Sequence, residues 1–101
     1  KIEAQMAWKA TPASPLRQDV MGAVQAAVAQ RFPGLKVVPG MSAGATDSVF
    51  YRAVGIPSYG TGSLFMKDSD GFAHGLNERV PADAVAPALQ HWETILRRLA
   101  G

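Results

Sequence analysis

Residues 35–60 read LKVVPGMSAGATDSVFYRAVGIPSYG, and this stretch decides the fold that the sequence predicts. The apolar run at residues 35–38 is bounded by glycine and proline, which favours a short buried strand. A loop of small residues follows at 40–48, then a short helix carrying Phe50 and Val54. Gly55 is a natural helix terminator, so residues 56–60 are predicted to form a second short strand.

Two longer helices are predicted on either side of this stretch. Ser14 followed by Pro15 favours a helix start, because a hydroxyl can cap the first turn and proline suits the first helical position. An apolar stripe at helical spacing follows, formed by Leu16, Val20, Val24, Ala27 and Val28. The last helix begins near Pro81, and its predicted apolar face consists of Val85, Leu89, Trp92, Ile95, Leu96 and Leu99.

The order of these elements indicates an α/β domain. From residue 14 onward helices and strands alternate, which is typical of a layer with parallel strands. Residues 1–9 alternate between apolar and polar side chains, and period two predicts a half-buried strand. The Pro-containing residues 11–15 separate this first strand from the rest, so we interpret them as a linker.

Composition excludes several classes of function. The 101 residues carry a net charge of only +2, and the longest run of basic residues is the pair Arg97 and Arg98, so no nucleic-acid partner is expected. Cysteine is absent, which rules out disulfides and thiolate metal sites. No apolar run approaches the roughly 20 residues that span a bilayer, so no membrane partner is expected either.

Two loops are candidates for chemistry. Residues 40–47 and 61–79 each follow a predicted strand, and ligands of open α/β sheets bind at that edge. The second loop is long for a compact domain, and such loops are usually functional. Thr46, Asp47, Ser63 and His74 are therefore candidates, although Thr46 and Asp47 also suit a simple helix cap.

More than one interpretation is open for three residues, His74, Glu78 and His91. His74 alone is more often a hydrogen-bonded surface histidine than a metal ligand. Glu78 lies four residues after His74, so it could orient the imidazole or cap the following helix. His91 lies beside the apolar stripe of the last helix and is interpreted as structural or solvated.

The two loops together resemble a known family. Residues 37–48 (VVPGMSAGATDS), 51–60 (YRAVGIPSYG) and 74–80 (HGLNERV) look like the end of a catalytic domain of co-catalytic zinc metallopeptidases. That family includes aminoacylase, carboxypeptidase, acetylornithine deacetylase and succinyl-diaminopimelate desuccinylase. The Gly-Ala-Thr-Asp-Ser loop and the His-Gly-x-Asn-Glu-Arg-Val turn are its most specific parts, and the details look closest to the carboxypeptidase-like branch.

The resemblance implies a fold and a domain organisation. Residues 14–101 would be the C-terminal portion of a zinc hydrolase catalytic domain, forming part of a three-layer α/β/α domain. Residues 1–13 would be the last strand of an inserted lid or dimerisation domain, with its linker. A homodimer formed through the lid domain is also compatible with this organisation.

The resemblance also implies roles for particular residues. His74 would be a metal ligand, with Asn77 and Glu78 supporting it or shaping the turn. Gly44, Thr46 and Asp47 would contact a peptide or N-acyl amino-acid substrate.

The family's site holds two zinc ions, and its remaining ligands and its general base lie upstream of the matching residues. We therefore expect no catalytic residue in this chain, and neither tight zinc binding nor amide hydrolysis by the chain alone. Its main partner would be the upstream part of the same polypeptide. The alternative is a noncatalytic interaction or subunit domain that retains the family fold.

Overall fold

Helices carry the regular structure in the computed structural model, which describes residues 10–101. Helix α1 spans Gln18–Arg31, α2 spans Ser48–Ala53 and α3 spans Val85–Ala100. Single turns of 3-10 helix occur at Asp68–Asp70 and at Ala82–Ala84, directly before α3. In this part of the chain, no helix has the length and apolar character that crossing a bilayer requires.

The described chain divides into two units. The first contains residues 10–15 and Gly40–Gly60, and the second contains Leu16–Pro39 and Thr61–Gly101. The strand predicted at residues 1–9 lies outside the described residues. The predicted boundary between a lid-domain strand and the catalytic portion, at residues 13 and 14, stays a prediction.

In the first unit, hydroxyl groups bind the backbone across long sequence separations. Ser14 Oγ donates to the carbonyl of Ser58 at 2.9 Å and accepts from the Ser58 N–H at 2.8 Å. Arg52 Nε donates to Thr11 Oγ1 at 3.0 Å. The predicted helix cap at Ser14 is therefore wrong, because this hydroxyl is committed to Ser58. Helix α1 begins at Gln18 with Arg17 at the N-cap position.

In the second unit, α1 packs against α3 through small side chains. The core cluster is Ala23, Ala27 and Ile95, with Val24 packed against it. On α3 the buried positions are Ala88, His91 and Ile95, which are spaced as one helical face. Ile95 of this face joins the cluster with α1, whereas His91 packs against Phe65 of the loop that precedes α3.

The predicted apolar face of α3 is only partly buried. Ile95 is 3% exposed and lies in the core, as predicted. The other predicted members remain substantially exposed, namely Val85, Leu89, Trp92, Leu96 and Leu99. Of the six predicted residues, Ile95 is the one that belongs to the core cluster formed with α1.

The predicted strands do not form in residues 10–101, and a three-layer arrangement is not shown there. Residues 35–38 and 56–60 have no regular secondary structure. A strand needs a neighbouring backbone, and here side chains take that place. Gln25 Nε2 donates to the Leu35 carbonyl at 2.7 Å, and the Val37 N–H donates to Gln25 Oε1 at 2.8 Å. Ser14 serves Ser58 in the same way.

Candidate functional site

His74 occupies an unusual backbone conformation at the tip of a tight turn. The Gly75 N–H donates to the Phe72 carbonyl at 3.1 Å, which closes a turn over residues 72–75. His74, the third residue of this turn, has φ +61°. Turns with positive φ at this position favour glycine or asparagine. A side chain with a Cβ in this region costs about 1–2 kcal/mol, so the turn accepts a cost to place an imidazole here.

A second turn follows and completes the loop. The Glu78 N–H donates to the Gly75 carbonyl at 3.2 Å. At the base of the loop, the Arg79 guanidinium carbon lies 3.8 Å from the centroid of the Phe72 ring. Arg79 Nη1 also donates to the Asn77 carbonyl at 3.4 Å. The loop thus consists of two consecutive turns joined at their base by a cation–π contact.

The loop presents the His74 side chain to solvent. His74, Asn77 and Glu78 are all exposed. In the described structure, Asn77 and Glu78 take part in the turns through backbone groups, and no hydrogen bond joins either side chain to the imidazole. These contacts are those of turn formation, and the role of Asn77 and Glu78 beside a metal stays a prediction.

The described residues by themselves do not fit a zinc ion. Within residues 10–101 no three His, Asp or Glu side chains lie close enough together to hold a metal. Catalytic zinc needs about three protein ligands, since a single imidazole does not compete with water for the ion. His74 therefore belongs to no metal-binding group among these described residues.

The predicted substrate loop lies in the first unit, and its three candidates differ in what they already bind. The Thr46 hydroxyl accepts from the Ser48 N–H at 3.3 Å, so it caps the start of α2. The Gly44 N–H donates to Ser42 Oγ at 3.2 Å. Asp47 stands at the N-cap position, yet its carboxylate makes no capping hydrogen bond and is exposed. Of the three candidates, Asp47 is therefore the residue whose side chain is available to accept hydrogen bonds.

Ser63 has a structural environment. Ser63 is 9% exposed, and its backbone carbonyl accepts a hydrogen bond from Arg31 Nη1 at 2.5 Å. The same guanidinium lies 4.5 Å from the Phe65 ring centroid. This contact network ties the start of the second loop to the end of α1, which leaves the Ser63 hydroxyl poorly placed to meet a substrate.

His91 is an ionisable residue that the structure buries, whereas the sequence left open whether it was structural or solvated. It is 1% exposed, and neither ring nitrogen has a hydrogen-bond partner. Its ring packs edge-on against Phe65, with centroids 5.6 Å apart. Burial lowers the pKa of His91 below its usual value, and the positive charge of Arg31 lowers it further. The 3.6-residue spacing from Ala88 and Ile95 was the signal that could have placed His91 in the core.

Comparison with family models places the chain among metallopeptidases, a class of hydrolases. The chain belongs to peptidase family M20/M25/M40, whose model matches residues 1–98. Peptidases of this family generally use zinc. Comparison with curated proteins and with solved structures found no match. The family resemblance predicted from the two loops is confirmed at this level.

Proposed function

We propose that this chain forms part of a zinc-dependent metallopeptidase or amidohydrolase in which His74 is one metal ligand. The observation that carries the proposal is the positive φ of this exposed histidine within the segment that matches the family. Backbone strain of this kind persists where surrounding structure enforces it and is concentrated at functional sites. A positive φ is uncommon for a residue with a Cβ, and within the described residues His74 is the non-glycine residue that adopts one.

The remaining metal ligands are proposed to come from polypeptide outside residues 10–101. A lone imidazole is insufficient for zinc, and no metal-binding group of side chains occurs within residues 10–101. The exposed apolar side of α3 supports the same proposal, since Leu89 is 68% and Leu96 is 58% exposed. Apolar side chains arranged along one helix normally face another protein surface. The upstream part of the same polypeptide is the proposed source of both the ligands and this covering surface.

The proposed substrates are peptides or N-acyl amino acids, with cleavage of an amide bond. Asp47 supports this assignment, because its exposed carboxylate can accept hydrogen bonds from the N–H groups of such a substrate. Gly44 and Thr46 are proposed to shape the loop that presents Asp47, since both already bind neighbouring groups. Within the family, the carboxypeptidase-like and aminoacylase-like branches are the proposed relatives. The family match gives no support to a noncatalytic module.

The test is His74→Ala in the full-length protein. Loss of residues that merely support a metal ligand costs about 10–100-fold in activity or metal affinity, so loss of a ligand is expected to cost at least about 100-fold in kcat/KM. Zinc content per protein, measured by plasma mass spectrometry, should fall as well. Leu76→Ala is the matched control, because Leu76 lies in the same loop and is fully exposed.

Two outcomes would contradict the proposal. Unchanged turnover and zinc content in His74→Ala would remove His74 from the metal site. A full-length protein that binds no zinc and hydrolyses no amide would favour the noncatalytic alternative.

A further inference from the structure

We propose that Phe72 and Arg79 are positioning residues that hold the His74 turn in its strained conformation. These two residues form the Phe72–Arg79 clamp. The consequence for catalysis rests on the proposed role of His74, whereas the clamp itself rests on the geometry of the loop.

The clamp closes the loop at its base. Phe72 and Arg79 are separated by six residues, and the guanidinium carbon lies 3.8 Å from the centre of the ring. The two turns between them start at Phe72 and end at Glu78, adjacent to Arg79. Both ends of the loop are therefore joined by one side-chain contact, and His74 lies between them.

The tip of the loop has little else to restrain it. His74 and Leu76 are exposed, and Leu76 is as exposed as in an extended chain. Within residues 71–80, Phe72 is the residue partly shielded from solvent. A left-handed conformation at a residue with a Cβ relaxes unless neighbouring contacts maintain it. The contact at the base is the one placed to do so.

Arg79 also forms a hydrogen bond with the backbone of the loop. Its Nη1 donates to the Asn77 carbonyl, so the same guanidinium contacts an aromatic face and a backbone oxygen of the second turn. A planar guanidinium can do both at once, which an ammonium group does less well. This predicts a graded series at residue 79, with arginine best, lysine intermediate and alanine worst.

The experiment uses the full-length protein with Arg79→Ala, Arg79→Lys and Phe72→Tyr. The first measurement is the rate of chymotrypsin cleavage after Phe72 or Leu76 under native conditions, identified by mass spectrometry. An exposed cation–π contact corresponds to about a two- to fivefold change in the opening equilibrium, so cleavage of Arg79→Ala should accelerate by that factor. Arg79→Lys should give a smaller increase, and its cleavage sites are unchanged.

The second measurement separates kcat from KM. Because a misplaced catalytic group lowers the rate of the chemical step, Arg79→Ala should lower kcat several-fold while KM stays constant. Phe72→Tyr keeps an aromatic face and should retain wild-type values in both measurements. Arg97→Ala is the control for loss of an exposed arginine, since Arg97 pairs with Glu93 on α3, away from this loop in sequence.

Each outcome supports or overturns the clamp. An unchanged cleavage rate in Arg79→Ala overturns it, whatever His74→Ala does to activity. Faster cleavage with unchanged kcat, in a protein that His74→Ala inactivates, overturns the positioning role. If His74→Ala leaves activity intact, the proposed function fails, and accelerated cleavage of Arg79→Ala still supports the clamp as a restraint on the turn.

Discussion

Replacement of His74 by glycine is expected to give a more stable protein than replacement by alanine, while both replacements abolish the proposed activity. The reason is the φ of +61° at this residue, a region that glycine enters without a steric penalty. His74→Ala keeps the Cβ and with it the penalty. The informative comparison is therefore between the two variants, both of which lack the imidazole.

The magnitude follows from two opposing contributions. A Cβ in the left-handed region costs about 1–2 kcal/mol. Glycine loses more conformational freedom on folding, which costs about 0.5–1 kcal/mol relative to alanine. The difference leaves glycine more stable than alanine at residue 74 by about 0.5–1 kcal/mol. With a urea m-value of about 1–3 kcal/mol/M, the unfolding midpoint of His74→Gly should exceed that of His74→Ala by roughly 0.2–1 M.

Equilibrium urea unfolding, followed by circular dichroism, measures this difference. The matched control is Gly22→Ala, because Gly22 lies within α1 and a Cβ added there meets no atom within 4 Å. At that helical position alanine should be the more stable residue by about 0.5–1 kcal/mol. The preference for glycine should therefore reverse between residues 74 and 22. Equal midpoints for His74→Gly and His74→Ala would refute the inferred strain.

Two further predictions concern single side chains. Burial lowers the pKa of His91, so as the pH falls the unfolded chain binds a proton at this residue before the folded chain does. The free energy of unfolding should therefore decrease below about pH 6.5 and level off below the folded-state pKa. His91→Leu should lose this part of the pH dependence in urea titrations. Asp47→Asn should raise KM without lowering stability, and an unchanged KM in this variant would exclude the substrate contact. Thr46→Val removes the hydrogen bond to the Ser48 N–H and should lower stability by about 0.5–1 kcal/mol.

The helices were predictable because their signals are local. Pro81 precedes the 3-10 turn that leads into α3, as predicted, and Gly55 follows α2 with φ +83°. Helix α1 ends at Arg31, just before Pro33 and Gly34, which the sequence also indicated. Proline geometry and positive φ at glycine act within a few residues, so they need no information about tertiary partners.

The strands were not predictable in the same way, because a strand depends on a neighbour. Residues 35–38 have the apolar composition of a buried strand, but in residues 10–101 their backbone groups meet the Gln25 amide instead of another strand. The predicted burial of the apolar face of α3 is only partly observed, for a related reason. Val85, Leu89 and Trp92 have the right spacing for burial, and only contact with another surface decides whether burial occurs.

The candidate site combines both kinds of information. Sequence motifs were sufficient to select His74, since the resemblance depends on residue types at fixed spacing. They could not reveal that this histidine occupies a position where glycine is the conformationally favoured residue, because φ is set by the turn that residues 72–75 close. A positive φ at a residue with a Cβ raises the free energy of the folded state, so stability alone does not explain a histidine at this position. In an M20 family chain, the metal site proposed for the imidazole gives a reason for histidine at residue 74. The Phe72–Arg79 clamp provides the contact that stabilises its conformation.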